Sequence, residues 1–361
     1  MRKPFRQKLL LLAGSLLASV LVAELVLRTL RPGMHSISVV QFKEDLIQNF
    51  TDGSWRNRPH FRARFVQEEY DIQVRINSLG LRGAECSVAK PPGTFRILVL
   101  GDSFTFGYGV REEESYAQVL ERLLNRQAGA TRYEVLNAGV IGFNTFSEWH
   151  YLKKTGMAFQ PDLVLVGFVA GTYMGGSSGS DLYANLFYQD VPEDVPAVEI
   201  VPNPGFFARL KEHLFLYHTA RVAYWKWQAA RRRSARSPGP AVPDAQRYAA
   251  ELEKAWVITR EAFTRLRDLA ARGGAQVMVA FIPIYSNIES KEPDIGDRLE
   301  AVGAELQIPV CNLFPLLLDQ TGKGRNLYLL KDDGHHWNAE GHRVAAEAIY
   351  DCMVSRGLVS F

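Results

Sequence analysis

The chain has 361 residues, 47% hydrophobic and 22% charged. This is an ordinary globular composition. It excludes a disordered chain, a collagen-like chain and a small disulfide framework, and at roughly 150 residues per domain it allows one to three domains. The 42 basic and 39 acidic residues leave a formal charge of +3, but the basic excess is local: Arg2, Lys3, Arg6 and Lys8 open the chain, and Arg221, Lys226, Arg231, Arg232, Arg233 and Arg236 lie in an acid-free stretch between His213 and Pro243. Setting those ten aside leaves 32 basic against 39 acidic residues, so the body is net acidic, which argues against nucleic-acid binding.

The first element is apolar. Leu9 to Ala23 is a 15-residue run without a charge, and apolar character continues to Leu30 around Glu24 and Arg28. A helix over Leu9–Leu27 would reach about 28 Å at 1.5 Å per residue, close to the ~20 residues a membrane span requires. No small-x-small cleavage site follows it. Residues 1–30 are therefore expected to form a signal-anchor, a membrane contact through residues 9–30, with the basic end cytoplasmic. A cleaved signal peptide and an amphipathic helix are the alternatives. Either of the first two readings exports everything after about residue 31.

Residues 31–93 read as a connecting region with a short β element. Phe61, Ala63 and Phe65, then Tyr70, Ile72, Val74 and Ile76, alternate as strands with one buried face. Asn77–Gly80 reads as a turn. From Phe95 the pattern becomes strand, turn, helix. Strands are expected at 95–100, 133–139, 161–168, 276–283 and 308–314, with helices at 116–127, 145–159, 248–272, 296–307 and 338–357. Continuous apolar strands alternating with helices predict an α/β fold: a three-layer α/β/α sandwich on a central, mainly parallel sheet, with the functional site at the carboxyl ends of the strands. Residues 94–361 would form this domain, interrupted by an insertion at about 172–244. The Arg231–Arg233 cluster there reads as a solvated face, with anionic lipid or polysaccharide as the other possibility. Cys86, Cys311 and Cys352 show no C-x-x-C spacing. They allow at most one disulfide, and all three are expected to be buried small apolar residues.

Two segments carry chemistry. In "LVLGDSFTFGYG" (98–109), Ser103 follows a buried strand at a turn permitted by Gly101 and Asp102. A serine hydroxyl needs a base to become a nucleophile, and Gly-Asp-Ser alone is also a common helix cap. In "DDGHHWNAEGH" (332–342), Asp333 and His336 stand three apart before the last helix, a spacing that lets a carboxylate fix the imidazole tautomer and leave the other nitrogen as base. Asp332 and His335 share that spacing. A metal cluster of His335, His336 and His342, or a polar helix-start loop, are further readings of the same letters.

Taken together, these segments resemble the SGNH (GDSL-type) hydrolase superfamily, and more closely its exported, single-anchor members. "FRILVLGDSFTFGYGV", "NAGVIGFNT", "HWNAEGH" and "NSLGLRG" are similar to that family's blocks, and the resemblance covers about residues 60–361. It implies Ser103 as nucleophile, His336 as base and Asp333 as the orienting acid, with the backbone N–H groups of Ser103 and Gly142 as oxyanion donors. It implies no metal and no organic cofactor. One block departs from the pattern. Where the family carries an oxyanion Asn after the third strand, this chain has Gly171 or Thr172, and losing one such donor costs on the order of 10²–10³ in turnover. Thr172 or Asn144 could substitute.

The expected function is that of an extracytoplasmic, membrane-anchored serine esterase or deacylase acting on an O-acyl ester, carried by a polysaccharide or a lipid. A polysaccharide O-acyltransferase would use the same triad with a sugar hydroxyl as acceptor. A non-catalytic binding or assembly protein on the same scaffold is the third reading.

Overall fold

The computed structural model describes residues 3–30, 46–49, 55–67, 69–127, 129, 131–170, 182, 185, 245–291, 294–331 and 335–361. The insertion call at 172–244, with its Arg231–Arg233 cluster, lies outside these residues apart from Leu182 and Asn185. The chain opens with helix α1 (Lys3–Leu30), on which Leu11, Leu12, Leu21, Val22, Leu25 and Val26 are exposed. Among the described residues no helix is long and apolar enough to cross a membrane, so the transmembrane span expected within residues 1–30 is not found there.

Two small antiparallel pairs follow: β1 (Ile47–Asn49) with β2 (Trp55–Asn57), and β3 (Arg62–Val66) with β4 (Asp71–Arg75). The alternation in the second pair is realised as burial of Phe61, Phe65, Tyr70, Ile72, Val74 and Ile76. These side chains build a separate apolar cluster with Phe106, Tyr108 and Leu329 of the main body.

The central sheet contains β5 (Thr94–Gly101), β6 (Arg132–Asn137), β7 (Leu163–Ala170), β8 (Gln276–Pro283) and β9 (Val310–Asn312). Its order is β6-β5-β7-β8-β9 and every pairing is parallel. Renumbered from the first sheet strand this is 2-1-3-4-5, the flavodoxin-like order. The helices of the body are α2 (Ser103–Phe106), α3 (Tyr116–Gln127), α4 (Thr145–Lys154), α5 (Ala245–Arg272), α6 (Tyr285–Ser290), α7 (Asp294–Leu306), α8 (Phe314–Gly322) and α9 (Ala339–Ser355). The chain is thus an α/β/α sandwich. β7 is buried along its whole length, as a strand covered on both faces must be. Helix α3 buries Tyr116, Ala117, Val119, Leu120 and Leu124, the spacing of one helical face.

Several boundaries differ from the sequence reading. The helix expected over 145–159 stops at Lys154, and Gly156–Phe159 forms a 3₁₀ turn. Thr155 leaves the helical region there, and Gly156 sits so close to Leu98 and Leu152 that a Cβ would lie 2.8–2.9 Å from them. Helices α6 and α8 were not anticipated; each is short and follows a strand directly, where the apolar run masks the change of period. The cysteine expectation is corrected too. Cys311 on β9 and Cys352 on α9 form a disulfide with a Cα–Cα distance of 6.0 Å, because α9 packs across the edge of the sheet. Cys86 is free and half-buried.

Candidate active site

The site is built where β5 ends, at the point where the sheet order reverses. Gly101 has φ +154°, and a Cβ there would lie 2.0 Å from Thr105 Oγ1 and 3.2 Å from the Gly167 carbonyl oxygen. Only glycine lets the chain turn this close to β7. Asp102 then caps α2: its carboxylate accepts the Phe104 N–H at 2.8 Å. Ser103 is the first residue of that helix. After Gly107, which closes α2 in the left-handed region at φ +83°, the turn is clamped by the buried guanidinium of Arg82. Its Nη1 donates to the carbonyls of Phe106 and Gly107, and its Nη2 donates to that of Val110 at 2.6 Å.

The loop after β6 borders this turn. The Val140 N–H donates to the Gly101 carbonyl at 3.0 Å, and Asn137 Nδ2 donates to the Thr105 carbonyl at 2.8 Å. Gly139 lies so near α2 that a Cβ would be 2.3 Å from the backbone nitrogen of Phe106. Gly142 is at the exposed tip of the loop with φ +84°. Asn144 is fully buried and caps α4, its Oδ1 accepting from the N–H and hydroxyl of Ser147 at 2.9 Å each.

His336 comes from the far end of the chain, in the loop between α8 and α9. Its carbonyl accepts the Leu329 N–H at 2.8 Å, and its neighbour Trp337 bridges Tyr328. The imidazole lies between two rings of the nucleophile segment: Phe104, centroids 4.8 Å apart, and Tyr108, stacked at 4.4 Å and 27°. Its Nε2 is 2.7 Å from the Oγ of Ser103, although 233 positions separate the two residues. At that distance an imidazole can take the hydroxyl proton. His335, the duplicate in the sequence, packs against the His336 ring. Thr172, Gly171, Asp332 and Asp333 lie outside the described residues.

The surrounding electrostatics are set by burial. Asp102 is pushed up to about 7 chiefly by desolvation, opposed by its hydrogen bonds to the Phe104 N–H and to Ser103. Glu148 on α4 is fully buried, and neither carboxyl oxygen has a hydrogen-bond partner among the described residues. Desolvation, and then the nearby Asp102, hold it well above the usual carboxylate range, so burial favours its neutral form. His342 accepts the Tyr116 N–H at 3.3 Å through Nδ1. Burial, and then the charge of Arg82, push it down to about 3. It is a neutral core histidine, and among the described residues no cluster of metal-ligating side chains forms. The sequence reading did not single out Arg82, Glu148, Phe104 or Tyr108; "NSLGLRG" and the aromatic letters flanking Gly107 were the available signals.

A hydroxyl and an imidazole held in contact at the carboxyl edge of a parallel sheet define a site of the serine-hydrolase class. The family model described as GDSL-like lipase/acylhydrolase matches residues 99–344, and the chain belongs to that family of ester hydrolases. Solved structures similar to this chain include a lipolytic G-D-S-L family member from Veillonella parvula DSM 2008, at 13% identity and TM-score 0.39, covering 71% of this chain and 97% of that one. They also include the acetyl xylan esterase AlAXEase, at 13% and 0.40, covering 71% and 98%. The psychrotrophic esterase EstA from Pseudoalteromonas sp. is similar at 15% and 0.39, covering 73% and 99%. No curated relative matches the chain.

Proposed function

We propose that this chain is an exported serine esterase or deacylase in which Ser103 is the nucleophile and His336 the general base. The observation that carries the reading is the 2.7 Å contact between Ser103 Oγ and His336 Nε2. Oγ attacks the carbonyl carbon of an O-acyl ester as Nε2 takes its proton, and the oxyanion forms toward the N–H groups of Ser103 and Gly142. The imidazolium returns the proton to the departing alcohol. Water, activated by the same nitrogen, then releases the acid and regenerates Ser103. Asp333 is assigned to orienting His336 through Nδ1 on the family resemblance, and Thr172 stands in for the family's oxyanion Asn, where this chain departs from the pattern. If a sugar hydroxyl replaces the water, the same acyl-enzyme gives acyl transfer.

Export is supported by the basic and then apolar amino terminus. It is also supported by the Cys311–Cys352 disulfide, since such bonds persist in oxidising compartments. The exposed apolar side chains of α1 suit a helix that lies on a lipid surface. The test is steady-state hydrolysis of p-nitrophenyl acetate by the full chain, with and without an oligosaccharide acceptor. Acyl release without acceptor, lost in Ser103→Ala, supports the esterase. Release only with acceptor supports transfer. Turnover unchanged in Ser103→Ala overturns the proposal. Separately, fractionation and protease protection of intact cells are expected to place the body outside the cytoplasm; a body accessible only from the cytosol would overturn export.

A further inference from the structure

The β3–β4 hairpin forms a two-stranded sheet apart from the central one, yet it packs against both segments that carry the Ser103–His336 pair. On its buried face, Phe65 and Tyr70 pack with ring centroids 5.1 Å apart. Both meet Tyr108 edge-on, at 5.4 Å and 6.0 Å. Tyr108 in turn lies flat on the His336 imidazole. A second line of contact runs to the loop that carries His336. Leu329 belongs to the same buried cluster as Phe65, Tyr70 and Tyr108, and a carboxylate oxygen of Glu69, at the hairpin turn, accepts the backbone N–H of Lys331 at 2.7 Å. Gly109 leaves room for this junction, for a Cβ there would stand 2.3 Å from Leu329 and 3.1 Å from Tyr70.

We propose that the β3–β4 hairpin is the positioning element for the base: Phe65 and Tyr70 hold Tyr108 against the His336 imidazole, and Glu69 ties down the loop on which His336 rides. The inference rests on the reading of Ser103 and His336 as nucleophile and base. Its physical ground is that proton transfer needs the imidazole nitrogen held within about 0.5 Å of its productive position beside the hydroxyl. His336 sits in a loop whose main chain is tied to Leu329, and the faces of its ring are supported by packing against Phe104 and Tyr108. Tyr70, Phe65 and Glu69 touch no reacting atom. They are positioning residues, and the step they affect is the chemical one.

The experiment compares the full-length parent with Glu69→Ala, Glu69→Gln, Tyr70→Leu and Tyr70→Phe. For each, kcat and KM on p-nitrophenyl acetate, the rate of Ser103 labelling by a fluorophosphonate, and the thermal midpoint are measured. Glu69→Ala and Tyr70→Leu are expected to lower kcat and the labelling rate about tenfold, a fraction of the ~10² lost for a 1 Å misplacement, with KM unchanged. Glu69→Gln, which keeps an acceptor oxygen, and Tyr70→Phe, which keeps the ring, are expected to restore both rates. A folded Glu69→Ala with parental kcat and labelling overturns the proposal, as does a loss that Gln and Phe fail to restore. Glu69 is part-exposed, so its pair remains decisive even if Tyr70→Leu does not fold. If the parent itself shows no labelling at Ser103, the nucleophile reading fails first, and the positioning role falls with it.

Discussion

At the scale of single residues, the site depends on backbone passing through backbone-sized gaps. Gly139→Ala would drive a methyl group onto the main chain of α2, 2.3 Å from the Phe106 nitrogen and 2.7 Å from the Thr105 carbonyl carbon. Neither atom can rotate away, so Gly139→Ala is expected to cost about 1–3 kcal/mol of stability by overpacking and to slow Ser103 labelling. Urea denaturation and the labelling rate check the two effects. Glu148 gives a pH prediction. Its folded-state pKa is raised, so above the unfolded value near 4.5 the native chain keeps a proton that the unfolded chain has lost, and native stability falls as pH rises. Asp102, pushed up to about 7, acts in the same direction between its unfolded value of 3.8 and about 7. Glu148→Gln removes the titration while keeping the shape. Its stability relative to the parent is expected to grow from pH 5 to pH 8, measured by denaturant unfolding at both pH values; parallel curves would contradict the assignment. These residues show where reading the sequence ends. The segments around Ser103 and His336 stand out because their residue types suit acyl transfer. Glu148 is one acidic letter in an amphipathic helix, and only the packing of α4 shows that it faces inward.

At the scale of elements, the disulfide closes a separation of 41 residues that contains α8, the His336 loop and most of α9. Constraining a loop of that length stabilises the fold by about 4 kcal/mol in the chain-entropy view. The double variant Cys311→Ala, Cys352→Ala is expected to lose stability of that order, measured by denaturant unfolding beside the oxidised parent; an unchanged midpoint would show that the bond does not constrain this segment. The pairing was not legible because it depends on how α9 lies across a three-residue edge strand, and three dispersed cysteines say nothing of that. The hairpin was legible as structure but not as part of the site. Alternation shows which face of β3 and β4 is buried; what that face is buried against is a tertiary fact. That the face meets Tyr108 and Leu329, on the two segments that carry Ser103 and His336, appears only in the assembled chain.

At the scale of the whole molecule, the architecture was largely readable because continuous apolar strands buried on both faces leave little freedom. β8 begins and ends where the pattern placed it, and α3 likewise. Right-handed crossovers between such strands give a sheet order that reverses beside β5. The same order sets Ser103 at the carboxyl edge, next to the loop that follows β6. The least readable parts are those without periodicity, the loop carrying His336 and the connections to α6 and α8. The central claim is that two residues 233 positions apart act as one reactive pair, and the most direct measurement is active-site labelling. The full chain is treated with a fluorophosphonate and the adduct is mapped by mass spectrometry, with Ser103→Ala and His336→Ala beside it. A single adduct on Ser103, absent from Ser103→Ala and slowed by about 10³-fold or more in His336→Ala, is the expected result. A folded parent that takes no adduct, or that labels equally fast without His336, would contradict the account.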